Sequence, residues 1–156
     1  MIRDAFLWLA TTPVGRYMND STFGFAGVEA AHLLGLAVLG GVVLLLSLAV
    51  WRLALVNQPL TVTAHGLRPV FVGALAVMLT TGVLLVASKP LRYYLSDAFR
   101  LKIALLALGV AAYVWLDRRV RAAGDEAQQG ANRILAVALL LTWLGVGLAG
   151  RFIGLL

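Results

Sequence analysis

Four stretches of this chain run almost without charge for lengths that match a lipid bilayer. Ala30 to Trp51 gives 22 uncharged residues between Glu29 and Arg52. Pro69 to Ser88 gives 20 between Arg68 and Lys89. Ile103 to Leu116 gives 14, and Ile134 runs to the C-terminus with Arg151 as its one interruption. A helix needs about 20 apolar residues to cross the hydrocarbon core. The third run is short of that, so its helix must also take in Phe99, Arg100, Leu101 and Lys102. The pattern predicts an all-α integral membrane protein, an antiparallel four-helix bundle forming one domain over 1–156. Its spans are expected at about 25–51, 68–88, 99–117 and 133–155.

Composition agrees. With 62% hydrophobic and 13% charged residues and no cysteine, the chain is neither a disulfide scaffold nor a disordered segment. The net charge is +6, but its arginines cluster at the ends of apolar runs. There they act as interfacial anchors, which argues against nucleic acid and for the lipid bilayer as the partner.

The connections carry breaking signals. Asn57-Gln58-Pro59 interrupts the chain after span one, Lys89-Pro90 ends span two, and Asp125 to Asn132 makes a polar turn before span four. Met1 to Ala10 is too short to cross. Ile2, Ala5, Phe6 and Leu9 share one helical face, which predicts an interfacial helix with Trp8 at headgroup level, ended by Thr12-Pro13. Asn19 to Thr22 supplies capping residues before span one. Glycines 35, 40, 41, 73, 82, 109, 145, 147 and 150 allow close helix packing, and with it self-association or membership of a larger membrane complex.

Helix rise converts sequence into depth. Let side A hold both termini and the loop after span two, and side B the other two loops. With span one centred on Gly40, His32 lies about 12 Å toward side A, and Glu29 lies at the core edge. With span three centred on Gly109, Lys102 lies about 10 Å toward side A, with Arg100 slightly further out. Arg151 comes to about 12 Å on the same side. Glu29, His32, Arg100, Lys102 and Arg151 therefore share one layer, with Arg92, Tyr93 and Tyr94 in the loop above it. His65 falls at the opposite face as an interfacial residue.

Ionisable groups at such depth face the bundle interior and mark function. One histidine and one carboxylate are too few for a structural zinc or di-iron centre. Haem b needs a single histidine on its iron, and its propionates want Arg or Lys. His32 as iron ligand, Glu29 as the carboxylate that orients it, and Lys102, Arg100, Arg92 and Arg151 as propionate partners meet that need. The sixth iron position would be open, taken by Met18, or supplied by a second chain. A quinone headgroup or another anion fits the same groups. A copper or small-ion binding or transport module, and an accessory subunit without cofactor, are the rival classes.

Val28 to Ala37 (VEAAHLLGLA), then Gly40-Gly41, and Arg92-Tyr93-Tyr94 with Asp97 to Lys102 (DAFRLK) resemble an uncharacterised family of small bacterial four-helix membrane proteins. The likeness runs from Leu7-Trp8-Leu9 to Gly150-Arg151. More distantly, the chain resembles the copper-resistance protein D membrane domain and the HemJ type of protoporphyrinogen oxidase. These also place a histidine early in helix one and a lysine early in helix three. In the HemJ group the histidine is associated with haem b and the lysine is required. That resemblance carries over to His32 and Lys102 alone, and implies redox or electron-transfer chemistry in a bacterial inner membrane.

Arginine distribution gives an orientation. Side B carries Arg52, Arg68, Arg118, Arg119, Arg121 and Arg133, six in all. Side A keeps four of its seven Lys and Arg once Arg100, Lys102 and Arg151 are set aside as a functional layer. The positive-inside rule then puts side B in the cytoplasm and both termini in the periplasm.

Overall fold

The computed structural model describes residues 2–124, 126 and 130–155, without the side chains of 2, 3, 5, 6, 154 and 155. Among the described residues it contains seven α-helices and no strand. Four are long and apolar enough to cross a bilayer: α3 (Thr22–Val50), α4 (Leu60–Ser88), α6 (Asp97–Ala123) and α7 (Ala131–Leu155). They form an antiparallel four-helix bundle, the architecture of a multi-pass membrane protein. The short helices α1 (Ile2–Thr11), α2 (Pro13–Asp20) and α5 (Pro90–Leu95) sit at side A.

Local chemistry sets the ends. The Ser21 hydroxyl accepts from Gly24 N at 3.0 Å and caps α3, and the Ser96 hydroxyl accepts from Phe99 N at 3.2 Å and caps α6. Ser96 is why α6 takes in Arg100 and Lys102. Two bounds differ from expectation. The second long helix starts at Leu60, ahead of the span expected from 68, because Pro59 opens the helix and Pro69 is carried inside it. A proline lacks only one amide donor, which neighbouring helices in a membrane tolerate. The third long helix continues past 117 to Ala123, where Gly124 with φ 56° stops it, and Asp117 and Arg121, four apart, pair within that last stretch.

At the N-terminus, Thr12-Pro13 ends one helix and starts another. The Thr12 side chain accepts from Gly15 N, and Pro13 takes the first helical turn of α2. Trp8 is exposed and Leu9 half-buried, whereas the Ile2, Ala5 and Phe6 side chains of the expected apolar face lie outside the described residues. Asp125, Ala127, Gln128 and Gln129 of the expected polar turn also lie outside them.

Around the bundle the order is α4, α3, α7, α6 and back to α4. The core fills the side B half. Leu39, Val43, Leu46 and Val50 of α3 meet Leu60, Ala64 and Phe71 of α4, Tyr113 and Leu116 of α6, and Leu139 and Trp143 of α7. Phe71 stacks on Tyr113 with ring centroids 3.6 Å apart and meets Trp143 edge-on at 6.1 Å. At the side B rim the Arg133 guanidinium lies over the Trp51 ring, and the Trp51 indole donates to Arg133 O at 3.3 Å. The side A half is less filled, and there the bundle holds a cavity.

Candidate functional site

His32 is buried on the inner face of α3, one turn above Gly35, which lets α3 approach the α4 backbone near Ala74 and Met78. Its ring nitrogens have different partners. The Thr81 hydroxyl donates to Val77 O at 2.7 Å, with a longer contact to Met78 O at 3.2 Å. That spends its single proton, so at 2.9 Å it accepts from His32 Nδ1–H. The tautomer assigned by this network leaves the lone pair on Nε2. Lys102 Nζ donates to Nε2 at 3.1 Å, reaching from α6 to α3.

Two glycines make room. A Cβ on Gly82 would meet His32 Cε1 at 3.3 Å, so the bare α4 backbone is what the imidazole lies against. A Cβ on Gly150 would meet Lys102 Nζ at 3.3 Å, so the lysine stem crosses α7 at a position without a side chain.

These groups face a cavity of about 810 Å³, within the range of about 300–1,000 Å³ typical of ligand pockets. Glu29, His32, Lys102, Arg92 and Arg151 all line it, with Lys89, Tyr93 and Phe99. The depth layer read from sequence is thus largely one site. Leu9 of α1 also lines it, so the N-terminal helix covers the cavity as well as lying at the surface. Arg92 donates to Ile153 O at 3.4 Å, tying α5 to α7 above the cavity. Tyr93 packs edge-on to Phe99 at 5.5 Å. Burial lifts the Tyr93 phenol above its ordinary value, an effect Glu29 reinforces and Arg92 opposes.

Other candidates lie elsewhere. Arg100 pairs with exposed Asp97 at 3.2 Å, donates to Tyr94 O, and is not part of the lining. Tyr94 is outside the lining too. Met18 is buried in α2 and does not line the cavity. His65 is exposed near the start of α4 on side B. Glu29 is exposed, and the residue orienting His32 is Thr81.

Sequence reasoning missed Thr81 and read Gly82 only as one of several packing glycines, because both are ordinary residues inside an apolar run until the register of α3 against α4 is known. Nor did it single out Asp117. Asp117 is buried on the inner face of α6, with one oxygen 2.6 Å from Arg121. Its other oxygen and the buried Tyr113 hydroxyl one turn away have no hydrogen-bond partner among the described residues.

A family model matches residues 5–156 of the chain. No curated protein and no solved structure matches it, so the distant likeness to the copper-resistance and HemJ groups gains no support. The chain belongs to the family of unknown function DUF6644.

Proposed function

We propose that this protein binds haem b in the side A cavity with His32 on the iron, and serves in electron transfer or redox chemistry. It would do so in a bacterial inner membrane with both termini periplasmic, alone or within a larger complex. The observation that carries this reading is the mounting of His32. A metal-ligating histidine characteristically donates its second ring N–H to an acceptor that fixes tautomer and orientation. Here Nδ1–H goes to Thr81, itself anchored on Val77 O, and Nε2 points toward the cavity's lysine.

The remaining lining suits the group with one rearrangement. Lys102 holds the lone pair the iron would need, and its long flexible stem lets the ammonium withdraw toward an acidic group. Arg92, Arg151 and Lys89 supply the positive charge that propionates require. Bound there, haem would supply one-electron chemistry. The chain's own contribution is to hold the iron ligand in one tautomer, to neutralise the acid groups, and to surround the ring with Leu33, Leu36, Met78 and Leu106.

The test is the absorption spectrum of the protein purified from membranes, oxidised and reduced. A Soret band is expected, lost in His32→Ala and weakened in Thr81→Val, where loss of an outer-shell partner costs about 10–100-fold in affinity. Absence of the band in wild-type protein expressed with ample haem, or full retention of haem in His32→Ala, overturns the reading.

The bond from Lys102 to Nε2 favours a second reading. A lysine and a histidine in direct contact form an acid–base couple that a quinone headgroup or another acidic ligand could use without iron. Protein that lacks a Soret band but co-purifies with quinone supports it. The rival copper module needs soft ligands, and the chain has no cysteine and three methionines.

A further inference from the structure

The cavity touches both the core of the bundle and its outer surface. Met78 and Leu106 line it and are 1% and 8% exposed. Leu79 and Val83 of α4 and Ile103 of α6 line the same cavity and are 49%, 57% and 47% exposed. These three lie inside membrane-spanning helices, so what they face outside is hydrocarbon. The seam between α4 and α6 is clamped in the side B half by the stack of Phe71 on Tyr113. In the side A half most of the cavity-lining side chains of these two helices are apolar, and Lys102, Ser88 and Phe99 line it with them. Toward water, α5 and Leu9 of α1 stand over the site, and α5 is tied down by the bond from Arg92 to Ile153 O.

A site bordered by lipid-facing side chains is open to supply from the bilayer, and its exposed rim of Glu29, Lys89, Arg92 and Arg151 at side A meets a head group at the membrane surface. Its charge selects the ligand. Among the described residues, Lys89, Arg92, Lys102 and Arg151 line it against a single carboxylate, Glu29. Lys89, Arg92 and Arg151 stand near the membrane surface, whereas Leu36, Met78 and Leu106 form an apolar interior. We infer that the cavity admits its ligand sideways from the membrane, through the seam between α4 and α6, and that the ligand is a lipid-soluble amphiphile with an acidic head. The inference rests on the cavity being the ligand site and not on iron, so it can fail or stand apart from haem binding.

The probe is a fatty acid with a free carboxylate and a photoactivatable diazirine in its tail. Full-length protein from a haem-deficient host, in lipid nanodiscs, is irradiated with the probe, and adducts are mapped by mass spectrometry. Adducts are expected at Met78 and Leu106, which annular lipid on the outer surface does not reach. They should fall several-fold in Val83→Trp, which fills the seam, and several-fold again with the methyl ester of the probe. Leu141→Trp, on the exposed face of α7, should leave them unchanged.

Adducts confined to outward positions such as Leu44 and Leu141 overturn the inference. So do inner adducts that are indifferent to Val83→Trp or to the ester. A Soret band in wild-type protein from a normal host together with no inner adducts would keep haem binding and reject lateral access. Inner adducts without a Soret band in that protein would do the reverse.

Discussion

His32 and Lys102 were legible as a pair in depth but not as a contact. Rise per residue places both in one layer, because depth depends only on distance along a helix. It says nothing about which way a side chain faces. Arg100 shows the limit. It shares the layer with Lys102 but stands about 200° around the helix from it, and it pairs with Asp97 outside the cavity. The orienting role expected of Glu29 fell to Thr81 for a related reason. A neighbour three residues away on one helix is visible in sequence, whereas one on α4 depends on how two helices meet. The two glycines beside the pair should respond differently to a methyl group. In Gly82→Ala the new Cβ meets a ring pinned by two hydrogen bonds, so haemin affinity measured by titration should fall about 10-fold or more. In Gly150→Ala the Cβ meets the flexible end of a lysine, and affinity should change far less. Equal losses would show that the imidazole is not held as rigidly as its bonds imply. Tyr93 carries a pH dependence. Its phenol keeps its proton to higher pH in the folded state than in the unfolded one, mainly through burial. Above about pH 10 the native state therefore holds more protons than the unfolded one, so stability falls as pH rises. Below that value the contribution is fully present. Thermal unfolding across the alkaline range should show a steeper loss in wild type than in Tyr93→Phe.

At the level of elements, the four spans were readable because charge bounds them, and the capping serines because their hydroxyls precede helices by the required spacing. α4 starts ahead of the expected span because Arg68 marks where charge interrupts an apolar run, not where the backbone starts to coil. Pro59 marks that, since Val62 N and Thr63 N both donate to its carbonyl. The second short helix, α2, was read as a break because the same Thr-Pro pair that stops one helix caps the next. Asp117 went unnoticed for want of its azimuth. Four residues from Tyr113 and four from Arg121, it lies where the inner stripe of α6 meets the basic side B rim. Its bond to Arg121 at 2.6 Å is charge-assisted, and the carboxylate is buried. Asp117→Asn keeps the shape and removes the charge, and should cost about 1.5–3 kcal/mol, read as a lower melting point in nanodiscs. Asp97→Asn, at an exposed pair, should move the melting point little. A harmless Asp117→Asn would mean that Arg121 is satisfied by solvent without it.

Across the whole molecule, the two halves of the bundle divide the labour. The side B half is packed like a protein core, with aromatic rings in contact across α4, α6 and α7. The side A half carries glycines, a cavity and the ionisable layer. This division explains how a bundle can keep a lysine and a histidine inside its spans. In a membrane, helix association draws on packing more than on the hydrophobic effect, because lipid tails are as apolar as leucine. Close contact in one half can therefore hold four helices together while the other half stays open to a ligand. Phe71 is the residue on which this argument turns. It stacks on Tyr113 and touches Trp143, so it joins α4 to both α6 and α7 just where the cavity gives way to core. Truncating a buried phenylalanine costs about 3–5 kcal/mol. Phe71→Ala should lower the melting point by that loss, and it should also loosen the seam between α4 and α6 through which the cavity meets the bilayer. Labelling of Leu106 by the diazirine fatty acid should then increase, while labelling of Leu141 on the exposed face of α7 stays constant. If Phe71→Ala lowers stability and leaves the ratio of those two adducts unchanged, the clamp and the cavity are independent, and the filled half does not set the width of the open one.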